Sequence, residues 1–309
     1  MLNIKETQSV NSVNIAGILK ELDITEAKTA DGREYVSCKA TIKVDQEVNG
    51  KVSENEIPVR MFSMKKKKDG GENKMYSMIV GYRDKFTSLA ACPEDHPEMA
   101  SKIAITTTDP ITRPNGTITE NIWVDPNGGE VRTSFQIDAK FLNEPRGDFE
   151  QGATFELTGV VLNKARETDV NGEETGRLKI KFAVVGWNGR VDVINLIAAS
   201  DNAVNFIESN WEDGDTVSLN GAISFNQSTK VWFEEQGFGD PIKRTKTETR
   251  KELIVLGGSQ SGLEETYSYD ATDIKNALAE RQARVEEKKN QANNSKRTQT
   301  PKNSNQFGF

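Results

Sequence analysis

Apolar and polar residues alternate with a period of two along most of this chain. Turn-forming pairs separate the alternating runs: Asp31-Gly32, Asn49-Gly50, Asn115-Gly116, Asn127-Gly128, Asn171-Gly172 and Asn188-Gly189. Such pairs supply the positive φ that tight hairpin turns need. The pattern predicts strands near 12–24, 33–45, 56–63, 102–108 and 134–142, then near 154–166, 176–187, 190–198, 216–226 and 252–257. Within 75–90, Met75, Met78, Ile79, Tyr82, Phe86 and Leu89 recur at three- and four-residue spacing, which predicts a helix ended by Pro93 and Pro97. A shorter helix is expected at 201–210, with Val204, Ile207 and Trp211 inward and Ser200 or Asp201 as its cap. Residues 109–133 read as an insertion forming an extended hairpin, and residues 227–250 as a polar, charged loop.

The pattern repeats. SVNIAGILKELDITEAKTADGREYVSCKATIKV (12–44) and TFELTGVVLNKARETDVNGEETGRLKIKFAVV (154–185) each open on an alternating strand with a mid-strand glycine, Gly17 or Gly159. Each passes through a turn into a second strand that is apolar on one face and cationic on the other. Three strands, a helix and two strands, twice over, is the order of the OB-fold, a five-stranded Greek-key barrel. The expected fold is mainly β: two tandem OB-like five-stranded barrels, each with a helix between strands 3 and 4, plus a disordered C-terminal tail. Residues 1–150 form the first, carrying the hairpin insertion at 109–133, and residues 151–269 the second. Residues 270–309 form a tail, helical over 271–290 on a thin stripe of Ile274, Leu278 and Val285. Beyond that, NQANNSKRTQTPKNSNQ is too poor in apolar residues to pack and is expected to be disordered.

Charge narrows the choice of partner. The net charge is -7, which argues against simple charge-driven binding to nucleic acid. Distant carboxylates are nevertheless screened over about 8–10 Å, so a local cationic groove is compatible with that balance. Residues 270–309 are basic, with 8 Lys and Arg against 5 Asp and Glu. Two cysteines, Cys38 and Cys92, make no disulfide framework and suit a reducing compartment. The N-terminus lacks the apolar run of a signal peptide, and no stretch approaches the ~18 apolar residues of a membrane span. The expectation is a soluble cytoplasmic protein.

The second strand of each repeat carries the sharpest chemical signal. Tyr35, Ser37, Lys39, Thr41 and Lys43 share one face of the first, and Arg177, Lys179 and Lys181 one face of the second. The apolar faces belong inside the barrels, so the cations point outward about 7 Å apart at ~3.3 Å rise per residue. Lysine is also a common choice for the wet side of any half-exposed strand, and that plainer reading stands beside the functional one. Non-specific single-strand binding needs stacking aromatics as well as cations. Candidates are Tyr35, Phe62, Trp187, Trp232 and Phe233, accompanied by Arg60, Lys65, Lys66, Lys67, Arg190, Lys243 and Arg244. The run Lys65–Lys68 before Asp69-Gly70-Gly71 reads as a flexible cationic loop or as an ordinary solvated surface. Enzyme signatures are lacking. His96 is the only histidine, which excludes a zinc site built on several histidines or a catalytic triad. Gly257-Gly258-Ser259-Gln260-Ser261-Gly262 has no following Lys-Ser/Thr and is no P-loop. No cofactor or metal is expected, and the reading is not an enzyme.

SVNIAGILKELD, YVSCKATIKV, RLKIKFAVVGW and GDTVSLNGAISF resemble segments of OB-fold single-stranded DNA-binding proteins, in particular large phage-type versions with two OB modules in one polypeptide. The resemblance covers about a third of the chain. It implies a non-enzymatic protein that coats single-stranded DNA during replication or recombination, with cations at Lys39, Lys43, Arg177, Lys179 and Lys181 and stacking at Tyr35, Phe62 and Trp187. In that family a disordered tail ends in acidic residues and a phenylalanine that recruits partners such as replication proteins. This chain ends in Phe309, but Lys296, Arg297 and Lys302 stand where acids would precede it. Two rival readings stay open: an OB-fold protein–protein adaptor in a virion or replication assembly, and a carboxylate-metal enzyme.

Overall fold

The computed structural model describes residues 1–110, 113–125, 129–169, 171–234 and 242–298. The first barrel comprises β1 (Asn11–Lys28), β2 (Glu34–Val48), β3 (Lys51–Met64), α1 (Lys74–Lys85), β4 (Lys102–Ile105), β5 (Gly116–Val124) and β6 (Val131–Ala139). The second comprises β7 (Gly152–Thr168), β8 (Glu174–Val185), β9 (Val191–Ala198), α2 (Asp201–Asn210), β10 (Thr216–Glu234) and β11 (Ile242–Gly258), followed by α3 (Ala271–Thr298). In the second barrel β7, β8 and β9 form an antiparallel meander. β10 returns antiparallel to β7, and β11 closes parallel to β9. This is the OB closure, and the first barrel repeats it with β6 parallel to β3.

The repeat is carried down to irregularities. The β1–β2 ladder breaks register between Leu19 and Glu21, and the β7–β8 ladder between Val161 and Asn163. Each break lies just past the mid-strand glycine. A Cβ on Gly17 would sit 2.3 Å from the Lys43 carbonyl oxygen, and one on Gly159 2.2 Å from that of Ala183. Glycine here lets one strand lie close over the next, and the bulge adds the bend that rolls a sheet into a barrel. The inward faces fill with Val13, Ile15, Leu19, Ile42, Ile57 and Ile103 in one barrel and Phe155, Phe182, Leu196, Trp211 and Phe225 in the other. Each such side chain contributes about 1.5–3 kcal/mol of burial.

Both barrel helices form as the periodicity predicts. Ser200 Oγ accepts from the Ala203 N–H at 3.3 Å, capping α2, and Val204, Ile207 and Trp211 are buried. In α1, Tyr76, Ile79 and Tyr82 are buried, but the helix stops at Lys85, where Phe86 turns extended, well before Pro93. The fourth strand of the first barrel departs from expectation. It is split into β4, which pairs with β1, and β5, which pairs with β6 inside the expected insertion. Asn11 bridges the gap. Its amide donates to the Ile118 carbonyl at 2.7 Å and accepts from the Ile118 N–H at 2.8 Å, replacing a ladder rung.

The barrels share one eleven-stranded sheet among the described residues, because β1 pairs antiparallel with β7 from Asn11↔Leu157 to Ala16↔Gly152. The β2–β3 hairpin also reaches the second barrel. Buried Asn55 accepts from the Phe225 N–H at 2.9 Å, and Gln46 donates to the Ile223 carbonyl at 2.7 Å. α3 lies across both halves. Arg281 pairs with buried Glu120 of β5, while Arg284 donates to the Val191 carbonyl of β9 at 3.1 Å. Ile274, Ala277, Ile4 and Tyr269 form a second apolar cluster against Val160, Ala183 and Val185.

Two expectations are corrected. Residues 227–234 and 242–250 are not loop but the outer part of the β10–β11 ribbon, paired as far as Glu234↔Ile242. The C-terminal helix continues past 290 to Thr298. Residues 299–309, including Phe309 and Lys302, lie outside the described residues.

Candidate nucleic-acid interface

The outer face of the first barrel collects aromatic and cationic side chains at matched rungs. β2 and β3 set Ser37 opposite Phe62 and Lys39 opposite Arg60. Tyr35 and Phe62 therefore meet diagonally, ring centroids 5.3 Å apart and tilted by 34°, with Phe62 56% exposed. Lys39 and Arg60 are exposed, and neither has an ion-pair partner among the described residues. Arg60 donates to the Gln136 side chain of β6. Tyr35, Lys39, Arg60 and Phe62 line an open hollow with Lys28 and Asp138 at its ends. Cys38 lies under it, fully buried. Burial first, then the nearby Asp23 carboxylate, pushes its thiol up to about 12, so it is not a nucleophile.

Two more hollows adjoin this one. Lys28 also lines the hollow beneath the loop Lys65–Lys68. Lys65 is tied to Glu34 at 2.9 Å, and that hydrogen bond raises its pKa. Lys66 and Lys67 are exposed. Lys43, further along β2, is held by Glu54 at 2.5 Å, and its pKa rises for the same reason. At the other end, Asp138 also lines a cleft between the barrels, with Gln136 and Lys140 on one wall and Trp187 and Arg190 on the other. Trp187 is 80% exposed. It projects from a single tight turn between β8 and β9, made by Asn188 at φ 56° and Gly189 at φ 73°. Arg190 pairs with Asp192 at 3.3 Å.

The corresponding face of the second barrel is different. Counted from the shared bulge, Lys39 opposite Asp23 corresponds to Lys179 opposite Ala165. Arg177 beside it is only 16% exposed, clamped between Glu167 at 3.2 Å and Glu252 at 2.7 Å. Arg250 reaches the same two carboxylates, and Lys179 reaches Glu167 at 3.4 Å. Burial raises the Glu252 carboxyl pKa, opposed by its hydrogen bond from Arg250. Arg177 is thus placed in an ion network rather than on an open surface. Lys181 remains exposed, flanked by Asn163 and Asn195 on the neighbouring strands. In the β10–β11 ribbon Arg244 stands opposite Trp232 and Lys243 opposite Phe233. Arg244 pairs with Glu234 at 2.7 Å, while the side chains of Trp232, Phe233 and Lys243 lie outside those described.

Lys28, Lys140 and Gln136 were not singled out by sequence, since each sits on or beside a strand whose outer face shows no cationic bias. His96 lies apart, its Nδ1 2.9 Å from Glu98. Among the described residues no three His, Cys, Asp or Glu gather to hold a metal ion, and no helix is long and apolar enough to cross a membrane.

Barrel topology and surface together define a tandem OB-fold protein with an open aromatic–cationic face on its first barrel. The sequence matches the YorF family over residues 9–291, and the chain belongs to that family. No curated protein matches it in sequence. Among solved structures it is similar to the wild-type single-stranded DNA-binding protein from Thermus aquaticus, at 12% identity and a TM-score of 0.48, covering 86% of this chain and 98% of that one. A deletion variant of the same protein gives 12% identity, a TM-score of 0.49, and coverage of 84% and 97%.

Proposed function

We propose that this protein binds single-stranded DNA with little sequence preference, as a non-enzymatic coat during replication or recombination. The observation that carries the reading is the Tyr35–Phe62 pair set beside Lys39 and Arg60 on the open face of the first barrel. Rings offer a stacking platform to any base, and neighbouring cations neutralise the phosphates. In an OB-fold this sheet face is the usual oligonucleotide surface.

The test is a titration of full-length protein with single- and double-stranded oligonucleotides over a range of salt. The expected result is preference for the single strand, with log affinity falling linearly against log salt at ~0.7 per phosphate contacted. Equal affinity for duplex, or binding indifferent to salt, would overturn the reading in favour of a protein adaptor.

A further inference from the structure

We propose that each chain carries one strand along a single continuous path, and that the second barrel joins this path through Trp187 rather than through its own β8–β9 face. The proposal rests on the single-strand reading above and adds where the strand runs and what each barrel contributes.

Continuity comes from shared walls. Lys28 borders both the hollow under Lys65–Lys68 and the hollow holding Tyr35 and Phe62. Asp138 borders that second hollow and also the cleft leading to Trp187. The three hollows therefore abut in sequence across the first barrel and into the junction. A strand leaving the Tyr35–Phe62 platform toward β6 passes Asp138 and enters a cleft lined by Lys140 and by an indole that is four-fifths exposed. An indole so exposed, fixed on a turn that glycine and a positive-φ asparagine hold, is the form a stacking residue takes.

The second barrel's own face lacks what the first has. The counterpart of Arg60 is Ile197, which stands opposite Lys179, and past Arg177 the β7–β8 ladder is broken by a second register shift, between Arg166 and Thr168, that β1–β2 lacks. Among the described residues no ring pair forms there. Arg177, Arg250 and Lys179 are spent on Glu167 and Glu252. A phosphate approaching beside Lys179 meets two carboxylates already holding these three cations, and displacing either would strand a mostly buried charge.

Lys39 and Lys179 are equivalent positions, so the pair makes an internal control. Full-length K39A, K179A and W187A variants are titrated with labelled oligo(dT) at several salt concentrations, with thermal unfolding confirming that each is folded. K39A is expected to weaken binding and flatten the salt slope by about 0.7, the effect of one lost phosphate contact. W187A is expected to weaken binding by about 5- to 150-fold, the equivalent of one stacked base. K179A is expected to change neither affinity nor slope. A K179A loss equal to that of K39A, or full affinity in W187A, would overturn the single-path proposal while leaving single-strand binding standing. Failure of the unaltered protein to bind oligo(dT) at low salt would remove both.

Discussion

Val13 and Phe155 face each other across the β1–β7 ladder, and each is the other's counterpart in the repeat. Gly17 and Gly159 differ by 142 positions (159 − 17), and so do Val13 and Phe155 (155 − 13). A local two-fold axis therefore passes between them, and the barrels are related as two subunits of a symmetric dimer would be. Phe155 is 1% exposed, and its ring covers Gly221, where a Cβ would lie 2.6 Å from the ring. Phe155→Ala opens a cavity at the joint and is expected to cost about 3–5 kcal/mol. Denaturant unfolding followed by tryptophan fluorescence and by circular dichroism should show one earlier transition by both probes. Separate transitions for the two halves would contradict the shared sheet.

The mid-strand glycines predict a backbone effect without any change of surface. In Gly159→Ala the added methyl collides with the Ala183 carbonyl and the Phe182 ring. Neither is the free end of a flexible side chain. Overpacking of this kind costs about 1–3 kcal/mol, read as a lower denaturation midpoint. An unchanged midpoint would mean that β7 and β8 do not approach this closely.

Glu26 gives a pH-dependent test. Tyr76 donates to it at 2.6 Å and Arg83 at 2.8 Å, and those bonds, Tyr76 first, hold its carboxyl below the ordinary 4.5. The folded state then binds the proton less readily than the unfolded chain does. The stabilisation is complete above pH 4.5 and is lost as pH falls through the lowered folded value. Tyr76→Phe should therefore be less stable than the parent at neutral pH, and the gap should narrow in urea titrations taken stepwise below pH 4.5. A gap constant with pH would assign the loss to packing alone.

Phe62 predicts a functional loss with little structural cost, since more than half of it is already in solvent. Phe62→Ala should weaken single-strand binding by about 1–3 kcal/mol while leaving the melting temperature nearly unchanged. Equal loss of both would make the ring structural.

The fold was legible wherever one face of an element is buried. Alternation located β1, β2 and β3 and their counterparts because Val36, Cys38, Ala40 and Ile42 must go inward. Ser200 was legible as a cap because its chemistry is local. The outer β10–β11 ribbon was not legible. Its residues 227–234 and 242–250 pair only with each other, so polar residues stand on both faces and no period of two survives. The split fourth strand was hidden because a side chain, Asn11, closes the gap. At the candidate interface the pattern gave the outward direction of Lys39 and Arg177 alike. What separates them is Glu167, just across the β7–β8 hairpin, and Glu252, distant in sequence and brought beside Arg177 by barrel closure.

The β1–β7 joint has a bearing on how these faces came to differ. In a pair of identical separate chains, every substitution appears on both partners at once, so a ring gained by one is gained by the other. Here the same arrangement lies within one polypeptide, and each half is free to drift alone. Tyr35 and Phe62 on one side, and the Arg177 carboxylate clamp on the other, are what such freedom permits.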